Sequence, residues 1–419
     1  MSSAGAPELA RSHAANRAAG AAVVTGLGIV APNGLGAAAY WDALLRGESA
    51  LRRVTRFDVS GYRSTIAGEV PDFDPARYLP DRLMPQTDVT TRMALVASDW
   101  ALRQAGLSQD DLPTNDVGVV TAACGGGYEF GQRELAKLHS LGPAHVSAYQ
   151  SFAWFYAVNT GQISIRNKLR GHGSVVISDQ AGGLDAIGHA RRQVRDGALV
   201  NLAGGVDSAL SPWAWVSHQS TGWLSTAATP ENAYLPFAPQ AAGYVPGEGG
   251  AILIMEHPEN ASRRQATVLG VISGYAATFD PGSPASSSGL RRAIEAALAD
   301  AGLTKGDVDV VFADAAAMPA ADRAEAEALR AIFGLGGVPV TAPKTMTGRL
   351  FAGGAALDVA TALLALRHNV IPPTVNVTAP VPEYGLDLVT EPRSLPLQTA
   401  LIVARGRGGF NSAVVVSKQ

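Results

Sequence analysis

The sequence feature that most constrains the fold is an internal duplication. Residues 101–108 read ALRQAGLS and lead into an apolar run at 117–120, while residues 297–304 read ALADAGLT and lead into a mostly apolar run at 308–311. Each block predicts a helix, a glycine stop and a strand. The blocks lie roughly 200 residues apart, which is too far for a solenoid repeat and indicates two similar halves of one architecture.

Other elements follow the same plan. Short apolar strands are expected to open the two halves near residues 23–26 and 267–272, and strand–helix pairs are expected at 174–195 and 338–368. Because apolar strands alternate with helices, we expect an α/β protein with a mostly parallel sheet covered on both faces. Two such halves predict layers in the order helix, sheet, helix, sheet, helix.

Three segments are expected along the chain. Residues 1–20 are rich in alanine and lack the apolar block of a signal peptide, which predicts a disordered tail. Residues 21–260 form the first half, with aromatic-rich insertions at 121–170 and 210–250 that are typical of functional loops or of local packing. Residues 261–419 form the second half.

Composition excludes several classes of function. The chain has 33 basic and 36 acidic residues, and no basic stripe is found, so no nucleic-acid partner is expected. Glycines interrupt the uncharged stretch 18–41, which argues against a membrane span. The single cysteine, Cys124, excludes an internal disulfide or a thiolate zinc site and fits a cytoplasmic location.

Motifs for other chemistries are incomplete. Gly26 and Gly28 begin a GxG pattern, but Ala31 breaks the dinucleotide fingerprint. The sequence contains no GxSxG motif, which would indicate a hydrolase. The eight histidines form no metal-ligand spacing, so no metal site is expected. Cys124 has no histidine beside it and is interpreted as a small core residue rather than a nucleophile.

A strand-to-helix turn at Gln180 is the clearest candidate site. The apolar run at 174–178 is followed by DQAGGLDA, whose small residues let the backbone bend and a ligand approach. The start of the helix offers free N–H groups and a positive dipole end, and enzymes place nucleophiles there because this field stabilises an oxyanion. The Gln180 amide can form hydrogen bonds, but it does not titrate near neutral pH and is no useful nucleophile.

These residues resemble the ketosynthase branch of the thiolase-like superfamily, from about residue 23 to residue 417. The specific resemblance is to the chain length factors, the ketosynthase beta subunits of type II aromatic polyketide synthases, which carry glutamine where active ketosynthases carry the nucleophilic cysteine. The glycine-rich segment 406–412 resembles the family's loop beside the site. The resemblance implies a thiolase-like fold of two duplicated halves in an α-β-α-β-α sandwich.

The other two catalytic positions of active ketosynthases are also changed. The run FADAAAMP matches the turn of the first histidine, with Asp314 in its place. The run PKTMTGRL matches the loop of the second histidine, where Lys344 is kept and Arg349 replaces the histidine. Decarboxylative condensation needs a thiolate and two imidazoles, which Gln180, Asp314 and Arg349 cannot supply. We expect Asp314 and Arg349 to form a buried ion pair that locks the former site.

The resemblance implies partners rather than independent catalysis. A chain of this family forms a heterodimer with an active ketosynthase, and its substrates are carried on the phosphopantetheine of an acyl carrier protein, so no cofactor is expected. Three interpretations remain open. The chain is a structural subunit that shapes the polyketide tunnel, a malonyl-carrier-protein decarboxylase that primes synthesis through Gln180, or, less favoured, a self-sufficient condensing enzyme with a rebuilt site.

The resemblance also implies a tunnel wall. Residues 128–135 match the family's wall helix, and the spacing of Tyr128, Gly131 and Leu135 puts them on one helical face, while Phe152 matches a further wall position. Members that make shorter chains carry bulkier groups at the positions of Gly131 and Leu135. We therefore expect a longer product, on the order of ten or more two-carbon units. The alternative is an ordinary amphipathic helix packed on the core.

Overall fold

The computed structural model describes residues 22–71, 73–108, 112, 114–280 and 286–419. The tail expected at 1–20 lies outside these residues. The helices are α1 (Ala37–Leu45), α2 (Val89–Ala105), α3 (Tyr128–Leu141), α4 (Val158–Asn167), α5 (Gly182–Arg195), α6 (Pro212–Gln219), α7 (Pro258–Arg263), α8 (Ser288–Ala301), α9 (Pro319–Phe333) and α10 (Ala352–His368).

The strands of the first half are β1 (Ala22–Ala31), β2 (Gly34–Leu35), β3 (Leu51–Arg53), β4 (Ile66–Gly68), β5 (Val117–Ala122), β6 (Gly173–Val176), β7 (Val200–Asp207) and β8 (Gly249–Glu256). Those of the second half are β9 (Gly270–Phe279), β10 (Val310–Phe312), β11 (Pro339–Thr341), β12 (Val370–Ile371), β13 (Asp387–Leu388), β14 (Arg393–Ser394), β15 (Thr399–Gly406) and β16 (Phe410–Ser417). The helix predicted within 174–195 is α5.

The main sheet repeats one strand order at its two ends. The order from edge to edge is β13-β11-β10-β15-β16-β9-β1-β8-β7-β5-β6. Strands β9, β16, β15, β10 and β11 therefore take the places that β1, β8, β7, β5 and β6 take in the first half. The halves join through antiparallel pairing of residues 22–24 with residues 270–272. The duplication predicted from the sequence is confirmed.

The expectation of a mostly parallel sheet is wrong, because the sheet is mixed. Parallel pairs involve β5 with β6 and β7, and β10 with β11 and β15, together with the β11–β13 pair. The pairs around β8 and β16 are antiparallel. Strands β15 and β16 are joined by a short hairpin rather than a crossover helix, and such a connection reverses the chain direction.

The helices complete the predicted layers. Helices α5 and α10 pack on each other between the two halves, α2 covers β1 and β8 from outside, and α8 covers β9 and β16 from outside. Helix α10 is buried along almost its whole length because its sequence is apolar on nearly every side. The thiolase-like α-β-α-β-α order is confirmed, and α5 and α10 begin beside each other at the centre of the molecule.

Two glycine patterns have structural explanations. Helices α2 and α8 both end at a glycine in the left-handed conformation, Gly106 at φ +67° and Gly302 at φ +63°, as the duplicated blocks predict. A Cβ at Gly28 would lie 1.7 Å from the Ala97 carbonyl oxygen of helix α2. The incomplete GxG pattern therefore permits close helix-to-strand packing.

Candidate functional site

Gln180 lies in the predicted sharp turn. Strand β6 ends at Val176, a single 3-10 turn covers Asp179–Ala181, and helix α5 begins at Gly182. Asp179 has a φ of +53°, which is uncommon for a residue that has a side chain. Gln180 is buried at the N-terminal end of α5. The predicted bend therefore presents an amide at a helix N-terminus, where enzymes often place a nucleophile.

Asp314 and Arg349 form the predicted ion pair. The two guanidinium nitrogens of Arg349 lie 2.8 and 3.1 Å from the two carboxylate oxygens of Asp314, and both residues are buried. The guanidinium also stands 5.4 Å from the centre of the Tyr244 ring. Burial would raise the pKa of Asp314, but the positive charges of Arg349 and Lys344 outweigh it and hold that pKa below its ordinary value. The two positions predicted to replace histidines therefore hold a compensated charge pair.

Lys344 is fixed beside this pair. Its Nζ lies 2.8 Å from Asp358 on helix α10 and donates hydrogen bonds to the carbonyl oxygens of Ala313, at 2.6 Å, and Asp314, at 3.2 Å. These contacts bind the lysine loop to the turn that carries Asp314. Lys344 consequently has its charge and its donors already engaged within the protein.

Two buried acids on helix α9 lie near the Asp314 turn, and one of them, Glu325, holds it. Glu325 accepts hydrogen bonds from the backbone N–H groups of Asp314 and Ala315, at 2.7 and 2.9 Å. Asp322 accepts one from the N–H of Phe237 at 2.7 Å. Burial raises the pKa of Asp322 to about 8. Burial and the negative charge of Asp314 raise the pKa of Glu325 to about 7.

The four predicted catalytic positions meet at one cavity. Gln180, Asp314, Lys344 and Arg349 all line it, and none of its lining residues is a cysteine or a histidine. Its volume is about 10 Å³, close to the minimum that holds one water molecule. This cavity offers neither a thiol nor an imidazole, its one amine is held by Asp358, and its volume is too small for an acyl chain.

Cys124 is close to this region but is unsuited to nucleophilic chemistry. It follows strand β5, its backbone N–H donates to Asp207 at 2.7 Å, and its Sγ lies 3.7 Å from an Asp179 carboxylate oxygen. Burial and these carboxylates raise the pKa of the Cys124 thiol well above its ordinary value, so the thiolate is disfavoured at neutral pH. Its side chain packs against the core but is not fully enclosed.

Three of the four predicted wall residues lie on helix α3. Tyr128, Gly131 and Leu135 share a face, and Leu135 is 38% exposed. The helix buries only Phe130, Gly131 and Glu134, which is less than an ordinary core helix buries. Phe152 lies elsewhere, at a groove of about 870 Å³ that it lines together with Phe155. The assignment of these residues to a tunnel wall stays a prediction.

Trp213 is a residue of this surface that the sequence analysis did not single out. Its ring meets the Tyr128 ring edge to face at 5.6 Å, and its backbone N–H donates to Gln132 at 2.8 Å. A Cβ at Gly131 would lie 3.5 Å from the Trp213 ring and 3.4 Å from Trp154. The space above Gly131 is therefore bordered by two tryptophans. The aromatic richness of the insertions was the only sequence signal for this contact, which joins distant segments.

Two further properties concern cofactors and membranes. Within the part of the chain that the structure describes, no group of three or more His, Cys, Asp or Glu side chains is placed to hold a metal ion. Among the same residues, no helix combines the length and apolarity that crossing a bilayer requires.

Comparison with protein families gives two matches that together span most of the chain. The beta-ketoacyl synthase N-terminal domain matches residues 21–260, and the beta-ketoacyl synthase C-terminal domain matches residues 269–378. The chain is 59% identical over 401 residues to the tetracenomycin polyketide synthase ketoacyl synthase beta subunit of Streptomyces glaucescens. That alignment covers 94% of this chain and 98% of the relative.

Two solved structures are similar to this chain over almost its whole length. The ishigamide ketosynthase/chain length factor is similar with a TM-score of 0.89 and 26% identity, covering 95% of this chain and 99% of the matched chain. A structure of a type II polyketide synthase acyl-carrier protein in complex with its ketosynthase bound to the hexaketide is similar with a TM-score of 0.86 and 25% identity. It covers 95% of this chain and 99% of the matched chain.

Proposed function

Because the chain belongs to the beta-ketoacyl synthase family, and within it to the ketoacyl synthase beta subunits or chain length factors of type II polyketide synthases, we propose that it pairs with an active ketosynthase and sets the number of malonyl extensions. The partner supplies the nucleophile for decarboxylative condensation, and this chain supplies part of the wall around the growing polyketide. Substrates arrive on the phosphopantetheine of an acyl carrier protein. The pair works in the cytoplasm, and this chain has no cofactor of its own.

The observation that carries this proposal is the filled cavity at Gln180. Its volume of about 10 Å³ and the ion pair between Asp314 and Arg349 leave neither a nucleophile nor room for an acyl group. A buried pair of this kind opposes entry of a substrate, because separating the two charges inside the protein is costly. Bond formation is therefore assigned to another subunit.

The edge of the main sheet supports pairing with a partner. Strand β6 is the outermost strand at its end of the sheet, and its residues are exposed or half-buried. Ile177, directly after it, is 46% exposed. An edge strand with apolar neighbours is a template for an added strand, and soluble proteins normally cover such an edge. We assign this edge to the ketosynthase.

The face of helix α3 supports the wall assignment. Leu135 and Leu138 on this helix are exposed, and Trp213, which lies beside Gly131, has 45% of its surface exposed. Apolar side chains of this kind suit a poly-β-ketone chamber that is completed by the partner. Gly131 and Leu135 leave more room than bulkier side chains would. The proposed product therefore remains long, on the order of ten or more two-carbon units.

Decarboxylation through Gln180 is the alternative activity, and one substitution separates it from the structural role. The heterodimer with Gln180→Ala is expected to prime normally when malonyl-carrier protein is the only substrate, because the cavity beside Gln180 does not admit a malonyl group. Mass spectrometry of the polyketides measures the outcome, and Gln398→Ala, at an exposed position, is the control. A loss of priming on the order of a hundredfold, restored by acetyl-carrier protein, would instead establish the decarboxylase.

A further inference from the structure

Helix α3 buries a carboxylate directly before Leu135. Glu134 is only 1% exposed, although the helix buries just two other residues. Burying a charged group costs free energy unless polar partners replace the water that it loses, so a glutamate here needs specific contacts. Glu134 follows Gly131 by three residues, and side chains at this spacing are neighbours on a helix. The buried charge therefore lies beside the candidate wall face.

The two carboxylate oxygens of Glu134 have different partners. One oxygen accepts hydrogen bonds from Lys137 Nζ at 2.8 Å and Arg133 Nε at 3.3 Å, both on the same helix. These cations are 38% and 45% exposed, so they compensate the charge from the solvent side. The other oxygen accepts the backbone N–H of Ser147 at 2.9 Å. Of these contacts, only the one with Ser147 connects α3 to another segment.

Ser147 begins the aromatic segment, residues 147–154, which carries Phe152 and Trp154. Its hydroxyl caps the 3-10 turn at the start of this segment. At the far end, the carbonyl oxygen of Trp154 accepts the N–H of Gly127, directly before α3, at 3.0 Å. The aromatic segment is therefore tied to helix α3 at both of its ends.

The room above Gly131 depends on these two ties. A Cβ at Gly131 would lie 3.4 Å from Trp154, so the aromatic segment itself borders this space. The tie at Gly127 is made by backbone atoms, whereas the tie at Ser147 is made by the Glu134 side chain. Packed protein surfaces respond to changes as small as one methylene group. A small shift of the aromatic segment away from α3 would therefore change the space that a polyketide can occupy.

From these observations we infer that Glu134 is a positioning residue for chain length, because it fixes the aromatic segment against helix α3 through Ser147. This inference rests on the proposed function, since it takes the α3 face as part of the wall around the polyketide. It goes beyond that function by assigning length control to a buried side chain that does not itself border the polyketide. The exposed wall residues then act at a spacing that Glu134 sets.

Ser147 offers a pair of variants that differ in the hydrogen bond. Its φ of −64° and ψ of 138° suit proline, and Val146 before it is extended, as a residue before proline prefers. Ser147→Pro removes the N–H donor, and the ratio of the ordinary major polyketide to shorter and longer ones should fall by roughly fivefold or more. Ser147→Ala removes only the hydroxyl and keeps the N–H, so it is the matched control and should retain the ratio.

Glu134 offers the complementary pair. Glu134→Ala removes the acceptor and should lower the same ratio by a similar factor. Glu134→Gln keeps an amide oxygen for Ser147, while the half-exposed Lys137 and Arg133 turn toward water, so this variant should retain the ratio. Glu134→Ala combined with Ser147→Pro should change the ratio no more than either substitution alone, because both break the same hydrogen bond.

A carboxylate in the second half provides the control for general loss of stability. Asp309 accepts the backbone N–H groups of Gln398 and Thr399 at 2.7 and 2.9 Å, so Asp309→Ala also releases an anchored segment. It should leave the product ratio unchanged. Liquid chromatography and mass spectrometry of the polyketides from the heterodimer measure the ratio. Analytical ultracentrifugation and the unfolding midpoint of each variant verify pairing and folding.

The outcomes separate this inference from the proposed function. If the unsubstituted chain pairs with no ketosynthase, or the pair makes no polyketide, the proposed function itself is wrong. If the pair is active and Ser147→Pro retains the product ratio, only the role of Glu134 is wrong, and this result decides even where Glu134→Ala fails to fold. A loss of stability or total yield at an unchanged ratio, or an equal change of ratio in Ser147→Ala or Asp309→Ala, likewise overturns the inference.

Discussion

Asp314 and Arg349 are both buried, and each compensates most of the other's charge. Asp314→Asn leaves the Arg349 guanidinium inside the protein without a full counter-charge, so we expect a loss of about 3–5 kcal/mol in the free energy of unfolding. Asp387→Asn is the matched control, because it breaks an Asp–Arg pair that is far more exposed, and should lose less than about 1 kcal/mol. Denaturant titration measures both variants. Equal losses would contradict the idea that the former site is locked by its buried pair.

Asp322 makes stability depend on pH in a defined direction. Burial raises its pKa to about 8, so the folded state favours the protonated form more than the unfolded state does. The resulting stabilisation is complete below the ordinary carboxyl pKa and is lost as the pH rises through about 8. The free energy of unfolding should therefore fall as the pH rises from the ordinary carboxyl pKa to about 8 and level off above it, and the free energy of Asp322→Asn should fall less steeply over that range.

Two other buried acids contribute to this pH dependence, and an exposed acid provides the control. Glu325 and Asp207 also have a raised pKa of about 7, chiefly through burial, and they act in the same direction, so Asp322→Asn should retain part of the slope. Asp42→Asn removes an exposed carboxylate and should show the slope of the unsubstituted chain. If Asp322→Asn showed the same pH dependence of the free energy of unfolding as Asp42→Asn, Asp322 would not be a source of that dependence.

At the scale of elements, helix α3 carries the chain-length hypothesis. Gly131→Thr combined with Leu135→Phe adds volume on the face that also carries Tyr128, and the threonine meets Trp213 and Trp154. We expect the heterodimer to release a shorter major polyketide, as liquid chromatography and mass spectrometry would show. Ala136→Thr adds bulk where the same helix lines a different groove, beside Arg56, and should leave product length unchanged. If the double variant released a major polyketide of unchanged length, this face would have no role in chain-length control.

The elements also show how far the sequence could be interpreted. The two helices that end at Gly106 and Gly302 follow from local patterns, and so does helix α5, because glycine stops and small-residue turns act within a few residues. The turn at Gln180 could be predicted for the same reason, and the Asp314–Arg349 ion pair follows from two opposite charges in recognisable turns. The mixed sheet could not, because strand direction depends on how each strand is connected. Trp213 over Gly131 could not either, because it joins segments about 80 residues apart that no local sequence pattern links.

At the scale of the whole molecule, the chain keeps an intact ketosynthase architecture around a site that has no reactive group. The duplicated halves still bring helices α5 and α10 together at Gln180, but the cavity there holds about one water molecule. The apolar and cationic surfaces that remain open lie at the β6 edge, on helix α3 and in the groove beside Phe152. These surfaces suit a subunit that shapes the polyketide tunnel and binds a partner.

Covalent acylation is the measurement that tests this account most directly. The purified chain, alone and together with an active ketosynthase, is incubated with malonyl- and acetyl-carrier protein, and each polypeptide is weighed by intact-protein mass spectrometry. We predict that the isolated chain gains no acyl mass and forms no carbon–carbon bond, whereas in the pair the acyl group appears only on the ketosynthase. An acyl group on the isolated chain that is then elongated would contradict the account.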